Sequence, residues 1–313
     1  MKVGAIIRIW IWSLVSLILI GVLVTGLVLG NLDWSHLSVG FGGYRFSDAQ
    51  TYSVGNTTLE AGAVHSIDVE WFAGSIRIGV ADDEKITVRE NAVISPNQAL
   101  RWRIHNGELQ IRYCKPRWLG SIGFSKDLEI LIPASMMISN EKLQRIAVEN
   151  VSSSIHIAEI AAVELDIESV SGNITMADIA TDRLEIENVS GVVNVTESKI
   201  EALEAATVSG NFTIGGTVEY VDLSGVSAML DLTDDICPRK VSVESVSGLI
   251  RLTIPADSGF RLSLDTISGS LYAPDFQMTT SGGDNYLCGD GSADFELESV
   301  SGRIDIQAIF PQG

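Results

Sequence analysis

Residues 165–176 read LDIESVSGNITM, and residues 184–195, one repeat later, read LEIENVSGVVNV. Both stretches fit one template, h-x-h-x-x-h-S-G-x-h-x-h, in which h is an apolar residue. The copies of this template begin at Ile146, Leu165, Leu184, Leu203, Val221, Val241, Leu262 and Phe295. Their successive starts are 19, 19, 19, 18, 20, 21 and 33 residues apart. Recurrence at so regular a period indicates a repeat architecture.

Apolar residues alternate with polar ones on both sides of the Ser-Gly pair, which predicts two half-buried strands and a turn in each repeat. The third apolar residue, such as Val170, is out of phase with the first two. A bulge or bend before it would return it to the core. One repeat buries almost nothing alone, whereas copies stacked about 4.8 Å apart share an apolar interior. We therefore predict an all-β fold, a parallel β-solenoid of about 19-residue repeats; an antiparallel sandwich or a propeller is the alternative.

The turn between the two strands recurs with the same pair of small residues, and we predict a structural role for it. Its positions in the six copies with Ser-Gly are Ser171, Gly172, Ser190, Gly191, Ser209, Gly210, Ser247, Gly248, Ser268, Gly269, Ser301 and Gly302. Glycine permits a positive φ or the close approach of the next rung, and the serine hydroxyl can bond backbone locally or one rung away. A catalytic nucleophile elbow needs one serine, a helix and a base, so we predict no catalytic residue and no cofactor.

The regions that flank the repeats divide the rest of the chain. A segment beginning at Ile67 fits the template with Ala73 in place of serine, and strand-like runs follow it. We therefore predict a divergent first rung and an atypical β cap over residues 61–142, with the solenoid repeats over residues 143–309. Residues 31–60 are rich in glycine and polar residues and predict a stalk. The long gap after Leu262 predicts a loop that leaves the stack.

Residues 9–30 contain no charged residue and are long enough, at about 1.5 Å per residue, to span a bilayer as one helix. Lys2 and Arg8 precede this segment, while Asp33 is the first charge after it. The positive-inside rule then predicts a signal anchor, with residues 1–8 in the cytosol and the remaining chain outside the cell membrane. A cleaved signal peptide is the alternative, although no convincing cleavage site follows.

The chain is strongly acidic, with a formal net charge of −19 and a pI near 4.5, so we predict no nucleic-acid partner. The residue after the second apolar position is acidic in six copies: Glu149, Glu168, Glu187, Glu244, Asp265 and Glu298. In-register stacking would place Glu149, Glu168 and Glu187 in one outward column, a candidate site for divalent cations. Cationic peptides or envelope proteins are the other partners that such a column suggests. A solvated acidic surface is the alternative interpretation.

Histidines and cysteines give no metal or redox motif. His36, His65, His105 and His156 are isolated, without the spacing of a metal site. Cys114, Cys237 and Cys288 are widely spaced. Outside the cell Cys237 and Cys288 could form a disulfide, and buried thiols are the alternative.

The tandem turns resemble those of the bacterial putative-adhesin family of β-strand-repeat proteins, DUF4097. Leu131, Ile132 and Pro133, and later Gly289, Asp290 and Gly291, are also similar to that family. The resemblance covers roughly residues 60–309. It implies a β-solenoid-like domain, often membrane-tethered in bacterial envelopes, with an adhesin-like or envelope-stress role and no established catalytic residues.

We therefore expect a membrane-anchored binding module. A β-helix polysaccharide-active enzyme is one alternative, although basic residues are too sparse across the repeats to form a catalytic cleft with the carboxylates. A self-assembling envelope scaffold is another, because the end of a solenoid can add strands.

Overall fold

The computed structural model describes residues 39–40, 43–91, 95–117, 124–138 and 142–310. They fall into two compact units, an N-terminal unit that ends at Gly172 and a C-terminal unit that begins at Asn173. The predicted cytosolic tail and membrane helix, residues 1–8 and 9–30, lie outside the described residues. Within the described ranges, no helix has the length and apolar character needed to cross a bilayer.

The described residues are almost entirely β-strand, as predicted. The strands of the N-terminal unit are β1 (Val39–Gly40), β2 (Gly43–Tyr44), β3 (Ser53–Val54), β4 (Thr57–Glu60), β5 (Ser66–Ala81), β6 (Lys85–Glu90), β7 (Arg101–His105), β8 (Glu108–Arg112), β9 (Lys126–Pro133), β10 (Leu143–Ala158) and β11 (Ala161–Ser171). Short helical turns lie at Ala49–Thr51, Ala61–Ala63 and Ser135–Ile138. The strands of the C-terminal unit are β12 (Ile174–Ala177), β13 (Ala180–Asp234), β14 (Lys240–Pro255), β15 (Phe260–Thr266), β16 (Ser270–Tyr272), β17 (Met278–Gly282), β18 (Asn285–Cys288) and β19 (Ala293–Ile309).

Strands of the N-terminal unit stack in parallel and in the register that the template predicts. Ile146 of β10 pairs with Leu165 of β11 on one side and with Ile67 of β5 on the other. On its far side β5 pairs in parallel with β8, where Ile67 faces Leu109, and with β9. Strands β6 and β7 then run antiparallel to β9 and β8. The first rung is therefore an interior layer, and the later part of this region caps it.

The C-terminal unit is also parallel and in register, but its last two repeats stack in an order that differs from their order in the chain. Val241 of β14 pairs with Val221 and with Phe295 of β19. Phe295 in turn pairs with Leu262 of β15. The final repeat thus lies between the two that precede it. The predicted loop contains the hairpin β17–β18, and β18 pairs antiparallel with β15, which covers the other edge of that strand.

The third apolar position of the template faces outward, so the predicted bulge that would bring it into the core is wrong. In the copy that begins at Val241, Val243 and Ser245 are buried and Val246 is half-exposed. Alternation continues without interruption to Ser245, and the phase changes later, within the turn. The residues at the position of Val246 are Val151, Val170, Val189, Val208, Val226, Val246, Ile267 and Val300, and each is half-exposed or exposed.

A small polar residue takes the inward position next to the turn, and in several repeats it satisfies backbone groups there. In the N-terminal unit, Asn150 Nδ2 donates to the carbonyl of Ser153 at 2.9 Å and to Ser169 Oγ at 3.1 Å. In the C-terminal unit, Thr266 Oγ1 accepts from the Gly269 amide at 2.7 Å. The buried members of this set are Asn150, Ser169, Asn188, Thr207, Ser245 and Ser299. A buried turn needs such partners, since unpaired backbone groups are costly.

Candidate functional site

The turn glycines allow neighbouring rungs to approach more closely than any side chain would permit. Gly172 has φ +134°, and a Cβ there would lie 2.0 Å from the carbonyl oxygen of Ser153. Gly248 has φ +136°, with its Cβ 1.9 Å from the Ala228 oxygen. Gly191 also has a positive φ, and Gly210, Gly269 and Gly302 each lie against the backbone of an adjacent glycine. Stacking therefore requires glycine at these positions, whereas Ser153 and Ala228 take the same template position in two other rungs.

The turn serines hold adjacent rungs together. Four of the hydroxyls donate to the carbonyl of the outward valine in the neighbouring rung: Ser171 to Val151 at 3.2 Å, Ser247 to Val226 at 3.3 Å, Ser301 to Val246 at 3.4 Å and Ser268 to Val300 at 3.2 Å. Ser190 and Ser209 occupy the same template position. A hydroxyl that makes the same backbone bond in four rungs is a structural group, and its recurrence gives no preferred site for catalysis.

One buried arginine organises a cluster of carboxylates at outward positions of the N-terminal strands, and its partners Asp68 and Glu70 are largely covered as well. The register places Arg112, Glu70, Glu149 and Glu168 in one column on successive strands. Arg112 Nη2 lies 2.6 Å from Asp68 Oδ2, and its Nε lies 3.0 Å from Glu70 Oε1. Sequence reasoning missed Arg112 because it lies in β8, outside the repeats. The sequence feature that could have pointed to Arg112 is its position at the end of a strand-like run.

Glu149 lies between two other carboxylates, Glu70 and Glu168, and one rung further from Arg112 than Glu70. Burial, and then the charges of Glu70, Glu168 and Asp68, raise the pKa of Glu149 to about 8, and Arg112 opposes the shift. Glu149 therefore holds a proton at neutral pH. Of the predicted cation-site residues, the structure brings Glu149 and Glu168 together by register. Glu187 is an exposed residue of the C-terminal unit. Among the residues that the structure describes, no group of three or more His, Cys, Asp or Glu side chains is placed to hold a metal ion.

The C-terminal unit carries a second acidic surface, formed by the outward positions of the first strand of each repeat. We call this surface the outer acidic face. Its acidic members are Glu185, Glu187, Glu204, Asp222, Glu244, Asp265, Asp294, Glu296 and Glu298, and its basic members are Arg183, Lys240 and Arg261. Nine carboxylates against three cations leave an excess of six negative charges on this face. Register places Glu244, Glu298 and Asp265 on three consecutive strands.

A buried ion pair connects strands β6 and β9 of the N-terminal unit. It was not predicted from the sequence. Lys126 forms an ion pair with Glu90, and both side chains are almost fully buried. The Lys126 ammonium lies 4.8 Å from the ring centres of Trp71 and Tyr113, and it donates to the Gln98 carbonyl at 2.8 Å. Burial lowers the pKa of Lys126. The paired, caged ammonium has no open position for a ligand, which indicates a structural role.

All three cysteines are free thiols in the structure. Cys114 and Cys288 are buried, and Cys237 is half-buried. Cys288 Sγ lies 3.8 Å from the Ser258 carbonyl, and Cys237 Sγ lies 3.7 Å from that of Pro238. Burial raises the pKa of Cys114 to about 11 and also raises the pKa of the other two thiols. None of these thiols has the lowered pKa of a reactive nucleophile.

The chain matches one family model and has distant likenesses among solved structures. The family model described as Toastrack DUF4097 matches residues 64–307. A solved structure titled a putative adhesin from Bacteroides fragilis is 11% identical, with a TM-score of 0.40, covering 81% of this chain and 97% of that one. A putative lipid binding protein from Parabacteroides distasonis is 13% identical, with a TM-score of 0.47, covering 81% and 96%. No curated protein matches the chain.

Proposed function

Because the chain belongs to the Toastrack DUF4097 family, we propose that it is a non-catalytic binding module, anchored by residues 9–30 and exposed outside the cell membrane. The family match covers most of the chain and supports an adhesin-like or other binding role. The uncharged segment with Lys2 and Arg8 before it supports the anchor and its orientation. A role in adhesion or in the response to envelope stress would follow from which molecule it binds.

The observation that carries the proposal is the outer acidic face, and the partner we propose is a cationic peptide. Glu244, Glu298 and Asp265 lie on three consecutive strands, which are spaced about 4.8 Å apart. Like charges so close repel one another, and a ligand with several positive charges relieves that repulsion. Binding should weaken as salt is added, since screening acts strongly on exposed charges.

Decalysine is a suitable probe, titrated calorimetrically into the full chain in lipid nanodiscs. The triple variant Glu244→Gln, Glu298→Gln and Asp265→Asn should lower affinity at least tenfold. A matched control replaces three exposed acidic residues of the N-terminal unit, Asp82→Asn, Asp83→Asn and Glu84→Gln. Both variants change the net charge by the same amount, so a purely global charge effect would weaken both equally. Equal weakening, or no heat with the unaltered chain, would contradict the proposal.

Calcium chloride serves as the comparison ligand, because the described residues contain no group arranged for a metal. We expect no saturable heat with calcium. The anchor is tested separately, by carbonate extraction of membranes and by protease treatment of intact cells. We expect the chain to remain in the membrane pellet, with its repeats digested from outside. Release by carbonate, or protection from the protease, would refute the anchored and exposed location.

A further inference from the structure

A groove of about 200 Å³ lies on the outer surface of the C-terminal unit. The lining residues that matter for its chemistry are Arg183, Ala202, Glu204, Tyr220, Asp222 and Lys240. All lie within β13 and the start of β14, so the groove is formed by the repeats themselves. Ligand sites in proteins are typically concave, with apolar and aromatic walls and a few fixed polar groups.

Side-chain size at one template position creates the groove. The position just before the first apolar residue is occupied in four successive copies by Arg183, Ala202, Tyr220 and Lys240. Tyr220 and Lys240 are direct register partners. The methyl group of Ala202 is much shorter than the side chains of its neighbours, which leaves a depression bounded by long side chains. Tyr220 is 40% exposed, so its ring is accessible to a ligand in the groove.

In the groove, hydrogen-bond donors of basic side chains lie next to carboxylate acceptors. Arg183 Nη2 lies 2.7 Å from Glu204 Oε2 and 3.1 Å from Glu185 Oε2. Asp222 and Lys240 lie on the opposite side of the groove from Arg183. Burial raises the pKa of Asp222, and the positive charge of Lys240 partly offsets that rise. Both Arg183 and Glu204 keep about half of their side-chain surface in water. Hydrogen-bonding groups of both kinds therefore remain accessible to a ligand.

We propose that this groove binds a neutral saccharide, with one sugar ring against Tyr220 and its hydroxyls on the Arg183–Glu204 pair. Each hydroxyl both donates and accepts, so neighbouring hydroxyls match a side-by-side donor and acceptor. The apolar C–H face of a sugar ring fits an exposed aromatic ring that has a polar tip. A charged ligand would have to break an existing ion pair, whereas a neutral one bridges it. The inference rests on the proposed binding role, but it concerns a different ligand. Four of the groove residues belong to the outer acidic face, whereas Glu244, Glu298 and Asp265, proposed for the cationic peptide, do not line the groove.

The test uses saturation-transfer NMR on the full chain in nanodiscs, with cellohexaose, chitohexaose and mannohexaose at millimolar concentration. At least one of the three should give a transfer signal and a saturable titration. Tyr220→Ala should weaken binding at least tenfold, and Tyr220→Phe should retain it within a few fold. Ala202→Leu should also abolish binding, because the leucine fills the depression while Tyr220 stays in place.

Tyr272 is the matched control, since it is 49% exposed in the same unit, lies outside the groove and has Arg303 4.9 Å from its ring centre. Tyr272→Ala should leave saccharide binding unchanged. Absence of binding by all three hexasaccharides, or equal losses in the Tyr220 and Tyr272 variants, would overturn the inference. Decalysine is titrated into the same variants. If decalysine binds and the saccharides do not, only the proposed saccharide site is refuted. If the saccharides bind and decalysine does not, only the proposed cationic partner is refuted.

Discussion

Replacing Glu149 with glutamine should remove much of the pH dependence of the stability of the N-terminal unit. The pKa of this carboxyl is raised from 4.5 to about 8 in the folded chain. Between these two values only the folded chain keeps the proton, so the free energy of unfolding falls as the pH rises. Above pH 8 both states are ionised and the loss is complete. Glutamine has no proton to lose and should show no such fall.

The size of the effect follows from the two pKa values. At 1.36 kcal/mol per pH unit, the difference corresponds to at most about 5 kcal/mol. Solvent screening reduces this figure because the Glu149 side chain keeps partial contact with water. We therefore expect Glu149→Gln to exceed the unaltered chain in stability by about 2 kcal/mol at pH 9, and to match it near pH 4.5.

Urea denaturation between pH 4.5 and 9 measures this stability. The unfolding is followed by tryptophan fluorescence, to which Trp71, buried in the N-terminal unit, contributes. Glu187→Gln is the matched control, since Glu187 has the same template position but is exposed. It should retain the pH profile of the unaltered chain. An unchanged pH profile in Glu149→Gln, or lower stability than the unaltered chain at pH 9, would refute this account of the acidic column.

Two further predictions concern the packing of the N-terminal unit. Gly172→Ala should destabilise it by about 3 kcal/mol or more, because the new methyl group meets the backbone of the adjacent rung at a positive φ. Gly79→Ala, whose Cβ would meet nothing within 4 Å, should cost under about 1 kcal/mol, and equal losses in urea denaturation would contradict the close approach of rungs. Lys126→Met should cost about 3–5 kcal/mol by leaving Glu90 buried without its partner, and adding Glu90→Gln should restore part of the loss. A thermal scan in which Lys126→Met melts like the unaltered chain would show that the pair is not needed.

The repeat predicted the parallel register because equivalent side chains must lie above one another for a thin layer to bury its apolar face. It did not predict which way the third apolar residue faces. A β-branched residue suits an outward column, where Val246 stacks on equivalents in adjacent rungs, as well as it suits the core. The small polar residue beside it, Ser245, goes inward because of hydrogen bonds in the turn, which a hydrophobic pattern does not record.

The stacking order of the last repeats and the candidate sites depend on contacts that no single repeat encodes. Every copy of the template offers the same pairing groups, so the template does not predict that the Phe295 repeat lies beside Val241 or that a hairpin covers β15. The outward column containing Glu149 was predicted, but its partner Arg112 lies outside the repeats. The groove at Tyr220 arises from differences in side-chain size among the copies. A common template records only what the copies share, so it does not predict the groove.

Cysteine cross-linking tests the central claim most directly, in a chain whose three native cysteines are replaced by serine. In the structure, Ser242 pairs with Glu296, and Glu296 pairs with Ser263 on its other side. Adjacent rungs are about 4.8 Å apart, within the range of a disulfide, whereas two rungs are about 9.6 Å apart, beyond it. Two double variants are compared. Oxidation should form a disulfide in the variant Ser242→Cys with Glu296→Cys, and should form none in the variant Ser242→Cys with Ser263→Cys. Efficient joining of the second pair, without the first, would contradict parallel stacking with the final repeat inserted between its predecessors.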